Sequence, residues 1–210
     1  ARYLNYAKKT DIIPNCIFLN GNSSINLKSG DAFNDEKSKS IFKALMGNGT
    51  KNEATLGKGV YKNYSIASNG FNITSIQFAL HYMFENEEML NNFMKNIAEC
   101  TALNGYFIGT CYNGNKVFSM LNSIEQNDSI SLFNDEQKIW EITKRYNKTE
   151  FKDDEDCLGY AIDIYQETIN KTFREYLVNF KYLNLRRIVQ AAEEPRILRD
   201  NDPLVGKAGA

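Results

Sequence analysis

The chain of 210 residues contains one histidine, His81, three prolines and four cysteines. A single imidazole excludes zinc centres built on several histidines, and no serine or cysteine stands near it in a triad-like motif. The cysteines, Cys16, Cys100, Cys111 and Cys157, are scattered without a Cys-x-x-Cys pair. They therefore form neither a disulfide frame nor a thiolate metal site, and they read as buried thiols of a reducing compartment. No apolar run approaches the roughly 18 residues of a membrane-spanning helix, which excludes such a span. Net charge is -1, so no polycationic surface exists to grip nucleic acid without regard to sequence. What is present is a hydrophobic fraction of 42% with 12% aromatics, enough to bury a core and to rule out wholesale disorder.

The chain opens at Ala1 directly into ARYLNYAKK, which reads as the last turns of a helix, so a domain incomplete at its N-terminus is expected. CIFLN, residues 16–20, reads as a buried strand running into the turn GNSS. Ile41, Phe42 and Leu45 recur at helical spacing before Gly47 and Gly49. Residues 48–70 show no sustained period and read as a long surface excursion. NITSIQFAL is a near-continuous apolar run ending at His81-Tyr82, as expected of a strand covered on both faces. Asn86 is placed to cap a helix bearing Met89, Leu90, Phe93, Met94, Ile97 and Ala98 on one face, closed by Asn104-Gly105. YFIGTCY then returns as a second strand, and strand–helix–strand over this span predicts a parallel βαβ unit. SISLF, KIWEITKRY, GYAIDIYQ and FREYLVNF predict an antiparallel extension. The expected fold is thus α/β, with a mixed, mostly parallel sheet and an antiparallel extension. A domain over 1–182 is followed by an atypical tail over 183–210, which holds no aromatics and two of the prolines.

In open α/β sheets, ligands bind where strands deliver their carboxyl ends. Two such ends are chemically loaded, Asn20–Ser24 and the segment holding Gln77, His81 and Tyr82. Neither offers a nucleophile with a paired base, a metal cluster or a phosphate cradle. A reaction that needs no such machinery fits best, or no reaction at all.

SIQFALHYMFENEEMLNNFMKNIAECTALNGYFIGTCYNG closely resembles the core of mRNA cap guanine-N(7) methyltransferases. That family carries an apolar strand ending QF-x-x-HY-x-FE, then a helix, then GGYFIGT. FREYLVNF resembles its E-[FY]-LV-x-F segment, and NGNSS stands where it carries an acidic D-[CS]-S turn. SGDAF, LGKGVY and YAIDIYQE look most like the methyltransferase module of capping enzymes from large DNA viruses. The resemblance covers about residues 1 to 182. It implies a class I, Rossmann-like fold with S-adenosylmethionine as cofactor. Asn22, Gln77, Phe78 and Tyr82 would contact the cofactor, and His81, Tyr82 and Glu175 the cap guanine. Asn22 departs from the family's Asp. The family's glycine-rich loop, its acidic residue at the end of the second strand and its terminal aromatic segment have no counterpart here.

The implied activity is methyl transfer to the guanine N7 of mRNA caps, with a capped 5′ end and other capping-enzyme domains as partners and neither membrane nor DNA. No residue is expected to act as acid, base or metal ligand, because positioning suffices. The setting implied is intracellular: host cytoplasm or virion if viral, nucleus if cellular. A small-molecule methyltransferase and a non-catalytic homologue that binds a cap or a partner are the alternatives.

Overall fold

Two sheets of opposite character divide the chain. The computed structural model describes residues 2–10 and 16–184, so the expected tail lies, from 185 on, outside the described residues. Helices α1 (Arg2–Ala7), α2 (Glu36–Leu45) and α3 (Glu53–Lys62) come first, then β1 (Phe71–Gln77), α4 (Glu87–Cys100), β2 (Thr101–Thr110) and α5 (Gly114–Leu121). Strands β3 (Ser129–Asn134), β4 (Gln137–Lys144), β5 (Ala161–Gln166) and β6 (Lys171–Tyr176) follow, with short 3-10 turns at Leu80–Phe84 and Glu155–Cys157.

β1 and β2 pair in parallel across α4, the expected βαβ unit. The Asn86 side chain caps α4 by accepting from the Met89 N–H, with Glu87 and Glu88 in the first turn. Leu90, Phe93 and Met94 of α4 bury against Leu80, Met83 and Phe84, and Cys157, Val178 and Tyr182 close the same cluster. β3 to β6 form an antiparallel meander whose inner face, Ile142, Ile162 and Ile164, packs on Leu121, Tyr146, Tyr160 and Leu177.

Several local expectations are corrected. Among the described residues two strands are parallel and four antiparallel, so the extension is the larger sheet rather than the smaller. β1 stops at Gln77, because Phe78 takes a positive φ of 52° and turns the chain into the 3-10 turn. The faces of β1 and β2 are largely uncovered, with Ile73, Leu103 and Ile108 half-exposed or more, since no further strand or helix layer lies on them among the described residues. Residues 16–20 run as irregular chain with Cys16, Ile17 and Phe18 exposed, touching a ladder only at the Gly21–Phe33 bridge. An apolar run becomes a strand only where a neighbour supplies backbone partners. Asn104 and Gly105 do not close α4. They lie inside β2, where the pairing jumps from Phe71–Thr101 to Ile73–Tyr106 and Asn104 takes a φ of 64°. The excursion over 48–70 contains α3, whose Leu56 and Val60 bury against Ile41 and Ala44. A kink at Gly57 breaks the helical period that would have revealed it.

One contact joins the two halves beside β2 and β6. The Gly114 N–H donates to the Val178 carbonyl at 3.2 Å, and a Cβ on Gly114 would collide with the Val178 backbone. Backbone cannot step aside as a flexible side chain can. Gly114→Ala is therefore expected to destabilise the protein by about 1–3 kcal/mol, read as a lowered denaturation midpoint. An unchanged midpoint would show that this approach is not rigid.

Candidate functional site

His81 sits on the 3-10 turn between two anchors, since Leu80 and Phe84 are both buried in the α4 core. Its position is thus set by its apolar neighbours rather than by its own bonds. Glu175 belongs to β6 and pairs across from Ile162, with Phe173 across from Ile164. Directly paired residues share a face, so the carboxyl stands on the buried side of the meander. Arg174 takes the other side, where it and Arg145 hold Asp163.

The two elements bring His81 Nε2 to 3.6 Å from Glu175 Oε1, with His81 2% and Glu175 7% exposed. At that separation the contact is an ion-pair distance, too long for a hydrogen bond. Both imidazole nitrogens and Glu175 Oε2 are buried with no hydrogen-bond partner among the described residues. Tyr82 packs edge-on to the imidazole at 4.3 Å between centroids, and Tyr112 stacks on it at 5.9 Å. Burial and the neighbouring Glu175 push both tyrosine hydroxyls above their ordinary range, and the Gln166 side chain hydrogen-bonds Tyr112. Burial holds the Glu175 carboxyl up at about 7 and the His81 imidazole down at about 4. The pair rests as a neutral imidazole beside a carboxyl that takes up or loses its proton near neutrality.

The sequence-predicted residues fall into two groups. His81, Tyr82 and Glu175 come together as expected. Gln77 ends β1, where its Nε2 donates to Ser75 Oγ and its Oε1 accepts from Thr110 Oγ1. Phe78 follows with its ring 69% exposed. Asn22 lies in a turn in which its Oδ1 accepts from both the Ser24 N–H and Ser24 Oγ. A backbone N–H needs an oxygen, which fixes the amide orientation and leaves the Asn22 Nδ2 donors without a partner among the described residues. The group therefore offers donors to a ligand, where an aspartate would offer acceptors. An exposed aromatic at Phe78 and free amide donors at Asn22 suit a nucleoside, so these two residues are compatible with the cofactor that the resemblance implies, while the Gln77 amide is already bonded to Ser75 and Thr110.

Tyr112 and Gln166 were not singled out from the sequence. Tyr112 had a signal, since it stands just past the carboxyl end of YFIGT, where α/β sheets bind ligands. Gln166 had none, because its place depends on the β4–β5 register.

The two buried groups make opposing demands on stability. A carboxyl whose folded pKa is raised stabilises the fold below its unfolded value of 4.5, and that contribution is lost as pH rises through 7. A depressed imidazole stabilises above its unfolded value of 6.5 and loses that contribution as pH falls through 4. The two trends cancel between 4.5 and 6.5. Comparison with Glu175→Gln isolates the carboxyl: the variant's Tm should gain on wild type between pH 5 and pH 8, by the equivalent of about 3 kcal/mol at most. Thermal melts showing the same difference at both pH values would mean that Glu175 titrates as in water.

Comparison with known proteins places most of the chain in a family. Residues 24–190 match the mRNA (guanine-N(7))-methyltransferase domain. A probable mRNA-capping enzyme of Acanthamoeba polyphaga mimivirus is 33% identical over 126 residues, 58% of this chain and 10% of that protein. The mRNA cap guanine-N(7) methyltransferase of Cryptococcus neoformans var. neoformans serotype D is 29% identical over 150 residues, covering 66% and 23% respectively. That of Aspergillus niger is 43% identical over 44 residues, covering 21% and 7%. The chain thus spans between 7% and 23% of the length of these relatives. With the domain match covering most of its length and the buried histidine–glutamate pair inside the matched region, the chain belongs to the mRNA (guanine-N(7))-methyltransferase family.

Proposed function

We propose that this protein transfers a methyl group from S-adenosylmethionine to N7 of the guanine that caps mRNA. The observation that carries the reading is the cluster of buried His81 and Glu175 with half-buried Tyr82 and Tyr112, in which three polar atoms of the pair have no partner among the described residues. Buried polar atoms are costly unless matched, and a guanine supplies the match. Its Watson–Crick edge presents N–H donors side by side, which an ionised Glu175 accepts, while the neutral His81 has a donor and an acceptor to offer. The tyrosine rings wall the base.

S-adenosylmethionine supplies a methyl already activated on a sulfonium. Asn22, Gln77, Phe78 and Tyr82 are the residues assigned to hold it, and the work of the chain is to bring donor and acceptor into line. Such positioning supplies roughly 7–11 kcal/mol of barrier reduction. N7 attacks with a lone pair and carries no proton, so no general base is called for, in keeping with a site whose one imidazole is held neutral. Other capping-enzyme domains are the partners in this reading, since a relative of which the chain spans 10% is named a probable mRNA-capping enzyme.

The test is methylation of a GpppG-capped RNA with labelled S-adenosylmethionine, scored at N7. Label should transfer with wild type. Glu175→Ala and His81→Ala should each lower kcat/KM by about 10- to 100-fold, the worth of hydrogen bonds to charged or buried groups. Wild-type turnover in both variants would remove the guanine assignment, and no transfer by wild type would remove the activity.

A further inference from the structure

Residues 22–34 form no regular element. Among the described residues their backbone bonds mostly to itself, as at the Gly21–Phe33 bridge and where the Asn22 N–H donates to the Ala32 carbonyl. Leu27 and Phe33 pack their side chains on the cluster of Phe42, Met46, Ala67 and Cys100, and the backbone path of residues 23–27 is fixed by Asn96. Asn96 lies on the buried face of α4 near Phe93, Met94 and Cys100, 4% exposed. An amide there is costly unless each polar atom is matched. Asn96 is matched in full, and by one stretch alone. Its Nδ2 donates to the Ser23 carbonyl at 2.9 Å and the Ile25 carbonyl at 2.8 Å, and its Oδ1 accepts from the Leu27 N–H at 2.8 Å. A second clip comes one helical turn on, where Glu99 accepts from Asn26 Nδ2 at 2.8 Å. All three Asn96 bonds go to backbone, so they set the path of the loop whatever side chains it carries. The loop begins at Asn22, whose Nδ2 donors are unpartnered among the described residues because Ser24 holds its Oδ1.

We infer that Asn96 is a positioning residue for the cofactor: it clamps the backbone of residues 23–27 and so holds the Asn22 amide where it meets the nucleoside of S-adenosylmethionine. The inference rests on the proposed function, since it needs that loop to be the nucleoside side of the site. Asn96 acts through the loop and does not touch the ligand itself. The apolar contacts of α4, Leu90, Phe93 and Met94 on the 3-10 turn, are made by other residues. Loss of the clamp should therefore spare the His81–Glu175 pocket.

That selectivity is the test. Binding of S-adenosylhomocysteine and of GpppG is measured by calorimetry for wild type, Asn96→Ala and Asn96→Asp, with circular dichroism as the control for folding. Asn96→Asp keeps the volume and the acceptor for Leu27 but turns the donor position against two carbonyls. Both variants should bind S-adenosylhomocysteine at least tenfold more weakly, about 1.4 kcal/mol, with GpppG affinity within twofold of wild type. In turnover, KM for S-adenosylmethionine should rise while kcat holds. Unchanged S-adenosylhomocysteine affinity in a folded variant overturns the inference. So does equal loss of both ligands, or failure of both variants to fold, since either assigns Asn96 to the fold as a whole. Wild type that binds neither ligand strikes the proposed function instead.

Discussion

A carboxyl and an imidazole buried against each other with too few hydrogen bonds is the constraint on which the site depends. Left alone, such a pair would be relieved by a small movement that let in water or a neighbour. The fold prevents this by anchoring each group through flanking residues that have no freedom. Leu80 and Phe84 pin the turn that carries His81, while Ile162 opposite and Leu177 beyond pin the strand that carries Glu175. The polar cost is met by apolar packing on both sides, which holds the two groups against each other. Because one group comes from the 3-10 turn after β1 and the other from β6, the seam between the two sheets matters as much as either one. The backbone approach of Gly114 to Val178 lies on that seam.

The sequence was legible where local chemistry and tertiary environment agree. Asn86 with Glu87 and Glu88 marked the start of α4, and the turn residues around SISLF, KIWEITKRY, GYAIDIYQ and FREYLVNF delimited the meander. It misled where pairing partners decide the outcome. CIFLN has the composition of a strand yet lacks a ladder neighbour among the described residues, and NITSIQFAL loses its last residues to a positive φ at Phe78. The helix at 53–62 was hidden by Gly57, which breaks the periodicity from which helices are read. Within the site, the strand-end histidine and the carboxylate in FREYLVNF stood out because polar groups in apolar strands need a reason. Asn96 did not stand out, because an asparagine on a helix is unremarked until its three partners are seen on a segment distant in the chain.

The family match and the departures from the family bear on different parts of the site. The matched region, 24–190, includes both halves of the buried cluster. Asn22 stands just ahead of it, and there an amide replaces the family's carboxylate. With its oxygen committed to Ser24, that amide reverses the polarity offered to a ligand. The Asn22 turn, the side proposed for the cofactor, is thus the more divergent, and its loop relies on side-chain clips rather than on a ladder.

The Glu175 carboxyl, held near neutrality by burial, has one more consequence. Below about pH 7, where the carboxyl is mostly protonated, a molecule whose donors favour the ionised form expels that proton as it docks. Association is then accompanied by acidification of the medium, and the heat it evolves depends on the ionisation enthalpy of the buffer. Two titrations in buffers of unlike enthalpy would count the released protons directly.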